Sequence, residues 1–186
     1  MNGPTLRVKG QALRSVLAAF AKLEGEDARD RALDALPDDV STALRSGAIV
    51  AGGWYPIEWY AALYDAASKV VGRPMGRELG RESARADLSG IFRFFTFILS
   101  PESIVARAPR IFAMVFEGAT GSAFDVRPGH IGIEYRNCTG FTPDIWEDVR
   151  AGTEMILERS GGKGVRSRVV SGGGYSATMK AEFDWG

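Results

Sequence analysis

The sequence predicts an α+β fold: an N-terminal helical layer followed by a β-β-α-β-β antiparallel four-stranded sheet with one helix. Three observations carry this reading. Apolar residues recur at three- and four-residue spacing up to Gly118, the period then changes to two, and the closing segment alternates without a break.

Leu13, Val16, Leu17, Phe20 and Leu23 give one apolar stripe over Gln11–Glu24 and predict the first helix. After Gly25, Ala28, Ala32, Leu33 and Leu36 predict a second. Pro37 suits the first turn of a third, which presents Val40 and Leu44 and stops at Gly47. Pro56 opens a fourth, with Tyr60, Leu63, Tyr64, Ala67 and Val71 on one side, ended by Gly72 and Pro74. Met75–Leu99 suits another long helix and Pro101–Glu117 a further one, which Pro109 should kink or divide because it removes a backbone donor.

Phe124 and Val126, then Pro128-Gly129, then Ile131, Ile133 and Tyr135 read as a hairpin. Pro143–Arg159 is helical again, with Ile145, Trp146, Val149, Ile156 and Leu157 inward. Ala177, Met179, Ala181, Phe183 and Trp185 alternate with polar residues as the last strand, and Val165–Ser171 is its hairpin partner. The chain reads as a single domain over 1–186, with a helical part over 1–118 and an α+β part over 119–186.

Composition narrows the chemistry. In 186 residues, Lys+Arg and Asp+Glu both number 23, so no nucleic acid is expected as a partner. One His and one Cys, His130 and Cys138, cannot supply a closed zinc site, a disulfide or an Fe–S cluster from one chain. The N-terminus has no signal-peptide pattern. The most apolar window, Ile91–Leu99, is broken by Arg93 and followed by Ser100-Pro101, so no membrane span is expected and the location implied is cytoplasmic. No nucleophile elbow or metalloprotease helix is present, no catalytic residue is assigned, and no metal or other cofactor is expected.

Two features stand out. Trp54, Tyr55, Trp59, Tyr60 and Tyr64 form an aromatic knot suited either to the wall of an apolar pocket or to a helix entry packed on the core. Trp54, Tyr55, Trp59, Tyr60 and Phe94 are the candidate pocket residues. Gly72, Gly76 and Gly80 recur every four residues beside Arg73, Arg77, Arg81 and Arg85. Gly76, Gly80, Arg77, Arg81 and Arg85 are therefore a candidate interaction surface, set against the plainer reading of a solvated, self-paired helix face. Gly161-Gly162-Lys163-Gly164 and Gly172-Gly173-Gly174 lack phosphate-loop spacing and read as turns. His130, just after Pro128-Gly129, is expected to be an exposed hairpin residue.

The blocks Trp54-Tyr55-Pro56, Tyr60–Ala67 and Arg77–Leu88, with Ser100-Pro101-Glu102 and Trp185, resemble a family of domain-length uncharacterised proteins enriched in myxobacteria. More distantly, the order of elements resembles the superfamily joining haem nitric-oxide-binding domains, 4-vinyl-reductase-type domains and TRAPP subunits. In the haem-binding branch a Tyr-x-Ser-x-Arg motif grips the propionates and a helical His binds iron. The comparable stretch here, Tyr135-Arg136-Asn137-Cys138-Thr139, matches only the tyrosine. The 4-vinyl-reductase branch holds metal through C-terminal cysteines, where this chain has Ser171, Gly174 and Thr178. The resemblance thus implies a non-enzymatic sensory or adaptor domain that binds a small apolar ligand or a protein partner. A homodimeric scaffold with no ligand, and an enzyme working through carboxylates, are the alternatives.

Overall fold

The computed structural model of the chain describes residues 6–89, 101 and 107–186. The helical layer runs β1 (Arg7–Lys9), α1 (Gly10–Glu24), α2 (Glu26–Asp34), α3 (Asp38–Arg45), β2 (Trp54–Pro56), α4 (Ile57–Val71) and α5 (Gly76–Ser89). Then come α6 (Ala108–Val115), β3 (Phe116–Glu117), β4 (Thr120–Arg127), β5 (His130–Arg136), α7 (Pro143–Arg159), β6 (Arg166–Gly172) and β7 (Met179–Asp184). No helix among the described residues is long and apolar enough to cross a membrane.

The larger sheet has the order β4-β5-β7-β6, antiparallel throughout, with α7 between β5 and β6 in sequence. This is the expected β-β-α-β-β unit. Its inner strands are pinned by alternation: Ile131, Ile133 and Tyr135 of β5 lie opposite Phe183, Ala181 and Met179 of β7, all buried. A slip of one residue would turn all six apolar side chains to the other face. Pro143 at the start of α7, and the Thr142 side chain accepting from the Ile145 N–H, fix where that helix begins.

A second sheet is absent from the sequence reading. β1 lies between β2 and β3, with Val8 opposite both Tyr55 and Phe116. Segments of two or three residues are too short to show a period of two, so Trp54–Pro56 reads from sequence only as the approach to α4. The helix expected over Pro101–Glu117 also changes. Pro109 stands in the first turn of α6, where its missing N–H costs nothing, and the chain turns extended at Phe116. Residues 102–106, and the part of the Met75–Leu99 helix beyond Ser89, lie outside the described residues.

α5 crosses α7 at close range. A Cβ on Gly76 would lie 2.2 Å from the Asp144 carbonyl oxygen, and one on Gly80 would lie 2.6 Å from the Asp148 Cα. Gly76 and Gly80 therefore face a helix of the same chain, whereas Gly72 caps α4, where a Cβ would meet nothing within 4 Å among the described residues. One cluster of buried apolar residues runs from Leu6 to Phe183 and joins both layers.

Candidate functional site

Between the helices and the larger sheet the interior is aromatic. Tyr60 and Tyr64 project from one face of α4, being four residues apart. Phe112 comes from α6, Phe116 from β3, Tyr135 from β5, Phe141 from the loop before α7, and Trp146 from α7 itself; all are buried. Ring contacts join them in series. Tyr60 meets Tyr64 nearly at right angles at 5.1 Å and Phe116 at 6.1 Å, and Phe116 meets Phe141 at 4.9 Å. Phe112 meets Tyr135 at 4.8 Å and Phe141 meets Trp146 at 4.6 Å. Such tilted and edge-on pairs are the favoured geometry for quadrupolar rings.

Polar atoms interrupt this apolar space. The Tyr60 hydroxyl donates to Asp148 Oδ2 at 2.8 Å, where Asp148 points from α7 toward α4. Burial pushes the Asp148 carboxyl up to about 7 and the charge of Asp87 adds to this, while the Tyr60 and Tyr64 hydroxyls act in the opposite sense. Burial, then the neighbouring Asp148, holds both tyrosine hydroxyls well above the usual phenol range. Tyr64 Oη makes no well-formed hydrogen bond among the described residues yet lies close enough to Tyr60 and Asp148 to interact with both, while Trp146 Nε1 is buried and has no hydrogen-bond partner among them. Leaving such a group unpaired costs about 1–3 kcal/mol.

The candidate pocket residues divide. Tyr60 belongs to the aromatic interior. Tyr55 and Trp59 instead stack on each other at 5.5 Å, and the Tyr55 hydroxyl accepts from the Val50 N–H at 2.8 Å. Trp54, half-buried on β2, carries Lys9 Nζ 4.0 Å over its ring. No ring contact among the described residues links these three to Tyr60, and Phe94 lies outside the described residues. The residues that sequence reasoning left out of the site are Phe112, Phe116, Tyr135, Phe141, Trp146 and Asp148. They come from three separate stretches of chain, 112–116, 135 and 141–148, so no local spacing brings them together.

Gly76 and Gly80 are occupied by α7. Arg77 and Arg81 both reach the buried Glu154, at 2.6 and 3.2 Å, and Arg81 also reaches Glu158 at 2.7 Å. Arg85 pairs with Glu82 at 2.7 Å. His130 corrects the sequence reading: it is buried. It sits on an inner strand, opposite Arg127 of β4 and Asp184 of β7, with Nδ1 2.6 Å from Asp184 Oδ1 and Nε2 3.2 Å from Asp125 Oδ2. Cys138 is buried as well, and burial raises its thiol to about 12.

A helical layer closed on a four-stranded antiparallel sheet through an aromatic interior defines an α+β domain with the fold of the H-NOX domains. Three solved structures illustrate the likeness. An Fe(II) unliganded H-NOX protein from K. algicida superposes with a TM-score of 0.71 at 10% identity, covering 96% of both chains. An oxygen-binding H-NOX domain related to soluble guanylate cyclases gives 0.68 at 14%, over 95% of this chain and 94% of that one. An H-NOX protein studied for haem distortion gives 0.65 at 15%, over 95% and 94%. No family model and no curated protein matches the sequence.

The neighbours' fold implies a haem, and the residues of this chain do not fit one held in the manner of that branch. Its sole histidine is His130, on a strand, with its ring between Asp184 and Asp125. Tyr135 is packed against Phe112 and Trp146, and Asn137 and Thr139 stand where the serine and arginine of the motif belong.

Proposed function

We propose that the chain is a sensory or adaptor domain whose aromatic interior accepts a small apolar ligand and reports it to a protein partner. The observation that carries this is the buried, unpartnered Trp146 Nε1, set among the rings of Tyr135 and Phe141. A ligand with an apolar body and a polar edge supplies both the contact surface and the missing partner. The likeness to domains whose own descriptions name haem and oxygen supports a binding role for the space between the two layers.

Of the aromatic knot, Tyr60 belongs to the ligand-facing wall, while Trp54, Tyr55 and Trp59 serve the small sheet. The interior touches α4, α6, β5 and α7 together, so a ligand that prefers one arrangement of these elements shifts the population toward it. Nothing in this reading requires a reaction. Native mass spectrometry of protein purified from its source, followed by thermal-shift screening with small apolar compounds, tests it. The expected result is a retained or acquired ligand whose thermal shift falls in Trp146→Phe but persists in Trp59→Phe. An empty chain that no compound stabilises would sink the reading.

A further inference from the structure

The solvent side of α1 carries two adjoining furrows. One, of about 500 Å³, lies between α1 and the α2–α3 region; the other, of about 400 Å³, lies between α1 and the ends of α5 and α7. Ala18 and Lys22 line both, so the outer face of α1 is a low ridge between them. Ala18 and Ala21 give this ridge an apolar crest of small height, on the side of α1 away from the buried Leu13, Val16 and Phe20, with the half-buried Leu17 at its flank against the core.

The rim is cationic. Arg14, Lys22 and Arg29 line the first furrow, and Lys22, Arg85 and Arg159 the second, against two carboxylates, Glu26 and Glu82. Those carboxylates are already engaged: Glu82 holds both Lys22 and Arg85, and Glu26 pairs with Arg29. The guanidinium groups of Arg14 and Arg159 make no ion pair or hydrogen bond among the described residues, and both are exposed.

We infer that this face docks an acidic amphipathic helix of a partner protein. The warrant is geometric and electrostatic. Helices pack by seating side-chain ridges in grooves, and alanines at the contact let the axes approach closely. A helix laid over Ala18 and Ala21 places residues three or four apart into the two furrows. Its flanking Asp and Glu side chains then meet Arg14 and Arg159, whose charges have no partner among the described residues. A flat bilayer does not fill two furrows, and a nucleic acid backbone makes no use of an alanine crest. The inference goes beyond the ligand reading and does not depend on it.

The test uses the whole chain and a fluorescein-labelled peptide of about 18 residues, long enough for five helical turns. The peptide carries Leu at i, i+3, i+4 and i+7 and Glu elsewhere. Fluorescence anisotropy at about 0.15 M salt compares it with a scrambled Glu peptide, a Lys-for-Glu peptide and vesicles of anionic phospholipid. The expected result is saturable, salt-sensitive binding of the Glu helix alone. It weakens about tenfold in Arg14→Glu/Arg159→Glu and in Ala18→Glu, both with unchanged circular dichroism because the three positions are exposed. Equal binding of the scrambled peptide, tighter binding to vesicles, or no effect of the double substitution would overturn the inference.

Discussion

Asp148 is a carboxylic acid placed where its proton is worth keeping. An unfolded aspartate titrates near about 4, whereas in the fold Asp148 holds its proton up to about 7. Between those values the folded state binds more protons than the unfolded state. Stability from this group is therefore fully present below the unfolded value and declines as pH rises through the folded one. The slope reaches about 1.4 kcal/mol per pH unit. Asp148→Asn keeps an acceptor for the Tyr60 hydroxyl and removes the titration. Urea denaturation across this range is expected to show a flatter profile for the variant and a higher stability than wild type at about pH 8; parallel profiles would refute the assignment. At this scale the sequence was silent, since an Asp in the middle of a helix gives no sign of being buried until α4 and α5 are packed on it.

At the scale of elements, α5 and α7 meet through glycine. Gly80→Ala sets a methyl group 2.6 Å from the Asp148 Cα and 2.8 Å from its carbonyl oxygen, both backbone atoms that cannot rotate away. A loss of about 1–3 kcal/mol is expected. Gly152→Ala is the matched contrast: its nearest neighbour is the Ala84 Cβ at 3.9 Å, and helix propensity favours it by about 0.5–1 kcal/mol. Thermal denaturation of the two variants should move in opposite directions. Gly76 and Gly80 were legible as a candidate contact face, because they repeat at helical spacing, whereas Gly72 of the same series caps α4. What that face meets was not legible, since α7 begins more than sixty residues after Gly80. The same limit explains the rest: β4 through β7 and α7 follow from periodicity, whereas the three-way pairing of β1 depends on partners that no local pattern identifies. The burial of His130 follows from strand order, which places β5 inside the sheet, and not from its turn.

The molecule as a whole has one shared core. The apolar cluster that includes Phe20 of α1, Tyr64 of α4 and Phe183 of β7 leaves neither layer with an interior of its own. Helices and sheet are accordingly expected to unfold in one transition. Cys138 gives an internal probe. It is buried beside the sheet, its thiol held near about 12, and the thiolate is the reactive form. Labelling by a thiol reagent at about pH 8 should be blocked in the native chain and should appear along the same urea curve as the loss of far-ultraviolet dichroism. Labelling well ahead of that curve would mean that the two layers separate first.

The small sheet bears on how the chain is made. Its middle strand, Arg7–Lys9, is made well before one of its two neighbours, Phe116–Glu117. Val8 thus pairs on one edge with Tyr55 and must wait, with the other edge open, until Phe116 has been translated. Until then the helices made in between gather on a strand that is still half paired.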